Sequence, residues 1–149
     1  MTDPLHELYQ EMILDHGKRP RNFHHMENPS NTQEAYNPVC GDKLTLFMMI
    51  EEDKIIDISF EGEGCAISMA SASLMTEAVK GINLKQAEEY FQNFHALLLK
   101  NDEAAKKTLG KVAILSGVSK YPGRIKCATL AWHSMHAIIN HEHGATTTE

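Results

Sequence analysis

Positive charge in excess, long apolar runs, paired cysteines and tryptophan are all scarce in this chain of 149 residues. It carries 14 Lys and Arg against 20 Asp and Glu, for a net charge of −6. A balance of that sign leaves no electrostatic footprint for nucleic acid or an anionic membrane, so neither is expected as a partner. The basic clusters, Lys18-Arg19-Pro20-Arg21 and the trio Lys120, Arg124 and Lys126, are local, and the first reads as solvated surface. Apolar stretches such as Leu44–Ile50 fall far short of the roughly 20 residues a membrane helix needs. The opening Met1-Thr2-Asp3-Pro4-Leu5 lacks a basic region followed by an apolar one, which reads as no secretory signal and points to a reducing, cytoplasmic compartment. Three cysteines are an odd count there, which rules out a disulfide framework and leaves inert buried thiols, a metal site or a reactive thiol. Gly62-Glu63-Gly64 lacks the Lys-Ser or Lys-Thr of a phosphate-binding loop, and no Ser–His–Asp spacing is convincing.

What is present reads as one α+β domain over residues 1–140, followed by a flexible tail over 141–149. Asp3-Pro4 reads as an N-cap and first helical position, with Leu5, Leu8, Tyr9, Met12 and Ile13 at helical spacing and a stop near Gly17. Lys18 to Pro38, with Pro20, Asn22, Asn28-Pro29, Asn31 and Asn37-Pro38, reads as a long ordered loop. Lys43–Glu51 and Lys54–Glu61 form an antiparallel hairpin, with Ile56, Ile58 and Phe60 on one face. Helices follow at Ala66–Lys80, at Leu84 to about Leu99 with Asn83 as cap, at Glu103–Leu109, and at about Arg124–Asn140. The fold expected is a small antiparallel β-sheet with several helices packed on one face.

The cysteines all fall at junctions. Cys40 ends the loop in Asn37-Pro38-Val39-Cys40-Gly41-Asp42, Cys65 opens a helix after Gly62-Glu63-Gly64, and Cys127 falls in the first turn of the last helix. A thiol at a helix N-terminus meets the positive end of the dipole, which favours thiolate. In extended chain, Cys40 and Asp42 point the same way. Three thiolates and a carboxylate make a tetrahedral set suited to zinc, or an incomplete cysteine set for an iron–sulfur cluster. The separations, 25 and 62 residues, match no CxxC knuckle, so composition and spacing alone favour unconnected buried cysteines.

Three segments carry a resemblance: Asn37-Pro38-Val39-Cys40-Gly41-Asp42, Gly62-Glu63-Gly64-Cys65-Ala66-Ile67-Ser68 with Ala70-Ser71-Ala72-Ser73, and Lys126-Cys127-Ala128-Thr129-Leu130-Ala131-Trp132. Together with Leu8-Tyr9, Asp15-His16 and Pro20-Arg21-Asn22, they resemble the NifU N-terminal, IscU and SufU family of iron–sulfur cluster assembly, from about Leu8 to Asn140. Ala113–Gly123 looks like the insertion the SufU branch carries before its third cysteine. Lys126 stands where the scaffold branch has histidine, and Tyr121-Pro122-Gly123-Arg124-Ile125-Lys126 replaces its Leu-Pro-Pro-Val-Lys chaperone-docking segment. The resemblance implies a metal held by Cys40, Asp42, Cys65 and Cys127, with zinc ahead of iron or a transient [2Fe-2S] cluster. It implies that Cys40 accepts persulfide sulfur from a pyridoxal-phosphate cysteine desulfurase of the SufS kind, so any catalytic role is at most that of a zinc-dependent sulfurtransferase. It also implies downstream iron–sulfur assembly partners and, for Arg124, a part in docking the desulfurase. The alternatives are a scaffold for a transient [2Fe-2S] cluster and a module with structural zinc. No family motif falls on His24, His25, His95, His133, His136, His141 or His143, and His16, which does match, is expected to be structural.

Overall fold

A computed structural model of the chain describes residues 11–141, 144, 146 and 147. Helix α1 is Glu11–Lys18, and the expected helix start at Asp3-Pro4 lies outside the described residues. Three strands follow, β1 (Asn31–Asn37), β2 (Asp42–Glu51) and β3 (Lys54–Glu63). Then come α2 (Ala66–Val79), α3 (Leu84–Lys100), a 3-10 turn at Glu103–Ala105, α4 (Lys106–Leu109), a 3-10 stretch at Gly110–Lys120, α5 (Pro122–Ile139) and β4 (Thr146–Thr147). Among these residues, no helix is long and apolar enough to cross a membrane.

The strand order is β3-β2-β1-β4, with β2 antiparallel to both neighbours and β4 parallel to β1. On the inner face Ala35, Leu44 and Gly62 share one cross-strand row and Gln33, Leu46 and Phe60 the next. Helices α2 and α5 pack over that face, and α3 packs outside α5. Helix α2 is buried nearly all round because Ala70, Ser71, Ala72 and Ser73 are small enough to let neighbours approach closely. This is the expected α+β architecture.

Three local expectations are corrected. The stretch read as one long loop contains β1, whose Asn-Thr-Gln-Glu-Ala-Tyr-Asn sequence has almost no apolar alternation. It is held instead by pairing along its whole length to β2 and by Gln33, whose Nε2 donates to Gly144 O at 2.6 Å and Thr146 Oγ1 at 2.9 Å. Part of the segment expected to be a flexible tail therefore pairs with the sheet. Ile56 does not share the face of Ile58 and Phe60. A register shift pairs Met49 with Asp57 but Ile50 with Ile55, so Ile55 turns into the core and Ile56 outward. Asn83 does cap α3, in a capping box with Gln86.

Candidate metal centre

Asn37, the last residue of β1, pairs with Asp42, the first of β2, so Pro38-Val39-Cys40-Gly41 forms a tight hairpin turn rather than the end of a long loop. Gly41 takes φ +73°, a left-handed conformation that costs glycine little. The turn leaves Val39 73% exposed and Cys40 half-buried, while Asp42 points inward at 2% exposure.

Cys65 is the N-cap of α2, its Sγ accepting the Ser68 N–H at 3.4 Å. Cys127 differs from expectation. Pro122 opens α5 two residues earlier than the sequence reading, as proline at a first helical position does, so Cys127 is the sixth helical residue and lies in the second turn. It is buried at 1% exposure and gains less from the helix dipole, which acts mainly on the first turn.

Thus a hairpin turn, a helix cap and a helix interior converge at one end of the sheet. The ligand atoms of Cys40, Asp42 and Cys127 all lie within 4.8 Å of one another. The Cys127 thiol donates to Cys40 Sγ at 3.1 Å, and the Cys40 thiol donates to Gly123 O at 3.9 Å. Cys65, the fourth expected ligand, is outside that group but adjoins it. Its N–H donates to Asp42 Oδ1 at 2.8 Å, and its thiol shares a hydrogen bond with Cys127. That bond is the main reason the Cys65 pKa falls to about 7, with the Ser68 and Ile67 N–H groups assisting against burial and the Asp42 charge. Cys127 moves the other way, raised by the same bond, by burial, and by Cys40 and Asp42. The two thiols lie close enough that ionising one makes ionising the other costly.

The residues present fit a soft divalent cation. The Asp42 carboxylate is buried beside three thiols, and among the described residues it has no cationic partner, only the neutral donors of Asn37 and Cys65. A buried carboxylate and several thiolates repel one another unless a cation sits among them. Thiolate and carboxylate donors in this number suit zinc or iron better than magnesium or calcium, which prefer all-oxygen sets.

Arg124 is half-buried in the first turn of α5, one turn before Cys127. Among the described residues, no histidine joins the group formed by Cys40, Asp42 and Cys127. His16 Nδ1 is hydrogen-bonded to Ser73 Oγ at 2.7 Å, and His136 Nδ1 pairs with Glu88 at 2.8 Å. Sequence reasoning did not assign roles to Asn37 and Gly64. Asn37 Nδ2 donates to Asp42 Oδ2 at 3.0 Å and to Cys127 Sγ at 3.4 Å, and a Cβ on Gly64 would lie 2.6 Å from Asp42 Oδ1. Reading Asn37 to Asp42 as a hairpin would have set that amide opposite the carboxylate.

Known proteins resemble this chain in sequence and in fold. The chain is 42% identical over 140 residues to the zinc-dependent sulfurtransferase SufU of Bacillus subtilis, covering 94% of this chain and 95% of the relative. It is 41% identical over 135 residues to the iron–sulfur cluster assembly scaffold protein IscU of Streptococcus pyogenes, covering 91% and 84%. A crystal structure described as an iron–sulfur cluster assembly scaffold protein for the SUF system, from Fervidobacterium islandicum, superposes with a TM-score of 0.83 at 35% identity, over 88% of this chain and 96% of that one. A NifU-like N-terminal structure from Brucella abortus, at 18% identity and a TM-score of 0.87 over 94% and 97%, shares the fold. Residues 8–128, which carry all three cysteines and the strands and helices that bring them together, match the NifU-like N terminal domain, and the chain belongs to that family.

Proposed function

We propose that this chain accepts sulfur in iron–sulfur cluster assembly, with one zinc ion on Cys40, Asp42, Cys65 and Cys127 and with Cys40 as the residue that receives sulfur. The observation that carries the reading is the asymmetry of the cluster. Cys127 and Asp42 are buried and Cys65, though half-buried, caps a helix, whereas the half-buried Cys40 sits in a hairpin turn beside Val39, which is 73% exposed. A donor can reach Cys40 without opening the core.

Zinc bound there would hold the thiols as thiolates near neutral pH and shield them from oxidation. The chain's own residues then divide the work. Asp42 and Cys127 stay anchored in the core, Cys65 stays capped on α2, and the Cys40 turn presents its sulfur. The donor is the persulfide of a pyridoxal-phosphate cysteine desulfurase of the SufS kind. The Cys40 thiolate attacks the terminal sulfur of that persulfide. A new S–S bond forms on Cys40, the donor's S–S bond breaks, and the desulfurase cysteine leaves as thiolate, with no net oxidation. Arg124, one turn before Cys127, would help dock the desulfurase. The Bacillus subtilis relative, named a zinc-dependent sulfurtransferase, supports this reading. A reducing compartment such as the cytoplasm would keep the thiols available, and the sulfur would pass to downstream iron–sulfur assembly proteins.

A second reading, supported by the relatives named IscU, is a scaffold on which a transient [2Fe-2S] cluster is built and transferred. Metal analysis of protein purified without a histidine tag separates the two. One zinc per chain, with no stable visible absorbance after anaerobic iron and sulfide, supports sulfur transfer. A cluster that forms and moves to an apo-acceptor supports the scaffold.

A further inference from the structure

We propose that Asn37 is a positioning residue for the metal centre, anchoring Asp42 and Cys127 so that Cys40 is the ligand released. This rests on the metal-site reading above and adds a residue to it.

Asn37 is completely buried at the end of β1. Its amide has two N–H donors, and both are spent on the site, one on Asp42 Oδ2 at 3.0 Å and one on Cys127 Sγ at 3.4 Å. Its Oδ1 is buried and has no partner among the described residues. A buried, unpaired carbonyl oxygen is unfavourable, so the fold holds this amide for what its donor end does. The reverse orientation would set Oδ1 against the Asp42 carboxylate.

The other contacts sharpen the asymmetry. Asp42 is held from both sides, with Oδ1 on the Cys65 N–H at 2.8 Å and Oδ2 on Asn37. Gly64 lets the carboxylate lie flat against the chain, since a Cβ there would come within 2.6 Å of Oδ1. Cys65 Sγ has the Ser68 N–H, and Cys127 Sγ has Asn37. Among the described residues, no N–H group donates to Cys40 Sγ, whose partners are the Cys127 thiol and the Gly123 carbonyl. Donors behind a ligand fix its direction and stabilise its charge, and a thiolate without them keeps its full nucleophilicity. Outer contacts therefore hold three ligands and leave the fourth exchangeable.

Cobalt(II) as the probe tests this by titration against a competing chelator, with the visible spectrum recorded for the parent, Asn37→Leu, Asn37→Ser and Gly64→Ala. Asn37→Leu removes both donors at similar volume, and Asn37→Ser keeps at most one if the leucine variant does not fold. Affinity should fall roughly ten- to a hundredfold, less for serine, and the cobalt bands should shift as Asp42 and Cys127 reorient. Gly64→Ala, which displaces Asp42 from the opposite side, should shift the bands as well. Parent-like affinity and spectrum in every Asn37 variant that folds would overturn the inference while leaving the metal site standing. A parent chain that binds no cobalt would instead refute the metal site itself, and this inference with it.

Discussion

The crossing of α2 and α5 brings Cys65 and Cys127 together, and Ser71→Ala tests what holds it. The Ser71 hydroxyl is fully buried, donates to Ala128 O at 2.5 Å and accepts the Trp132 indole N–H at 3.0 Å. Trp132 is itself fully buried and stacks on Phe94, with ring centroids 4.4 Å apart. Alanine opens little space but orphans the indole N–H, which costs about 1–3 kcal/mol. The better helix propensity of alanine offsets up to about half a kcal/mol of that. For a domain of this size each kcal/mol moves the melting temperature by about 2–4 °C, so a net loss near 2 kcal/mol predicts a fall of about 4–8 °C. Thermal and urea unfolding at fixed metal loading would measure it, because bound metal also shifts apparent stability. In a Trp132→Phe background the donor is gone and Ser71→Ala should cost about 1 kcal/mol less. Equal costs in the two backgrounds, or a melting temperature within about 1 °C of the parent, would refute the reasoning.

Cys65→Ala, Cys127→Ala and Asp42→Ala should each lose bound zinc by elemental analysis, since each opens a four-ligand site. Full retention in both cysteine variants would contradict the site. Chelation of the parent chain should lower its melting temperature, because a metal bound only by the folded state adds its binding energy to folding. His16 titrates below the usual histidine range, chiefly through burial and then the Arg21 charge, against Glu77 and Asp15. The unfolded chain therefore takes up this proton first, so its contribution is complete above a pH of about 6.5 and is lost as pH falls towards the folded value. Urea midpoints should drop less between a pH of about 7.5 and about 5.5 for His16→Asn than for the parent, and parallel curves would contradict this.

Sequence and structure agree where a local signal coincides with a local cause. Asn83 with Gln86 spells a capping box, and Glu52-Asp53 divides two apolar strands, so α3 and the β2–β3 hairpin were legible. Strand β1 was not, because its buried positions are Gln33, Ala35 and Asn37, and two of those polar side chains find their partners only in the folded chain, Gln33 with residues more than a hundred positions away. The outward turn of Ile56 follows from a bulge that a period of two does not reveal. Of the site, Cys40, Asp42 and Cys127 are brought together as expected, and Cys65 stands beside them. The depth of Cys127 in α5 was missed by the two residues that Pro122 adds at the start of that helix. Asn37 was quoted in a motif but given no role, since its contacts exist only once the hairpin closes.

Mass-spectrometric mapping after mixing the chain with a cysteine desulfurase and cysteine decides whether Cys40 accepts sulfur. One added sulfur atom on the peptide carrying Cys40, absent from Cys40→Ala, is the predicted result. No added sulfur on Cys40, in a chain that readily forms and passes on a cluster when supplied with iron and sulfide, would contradict the account and establish the scaffold in its place.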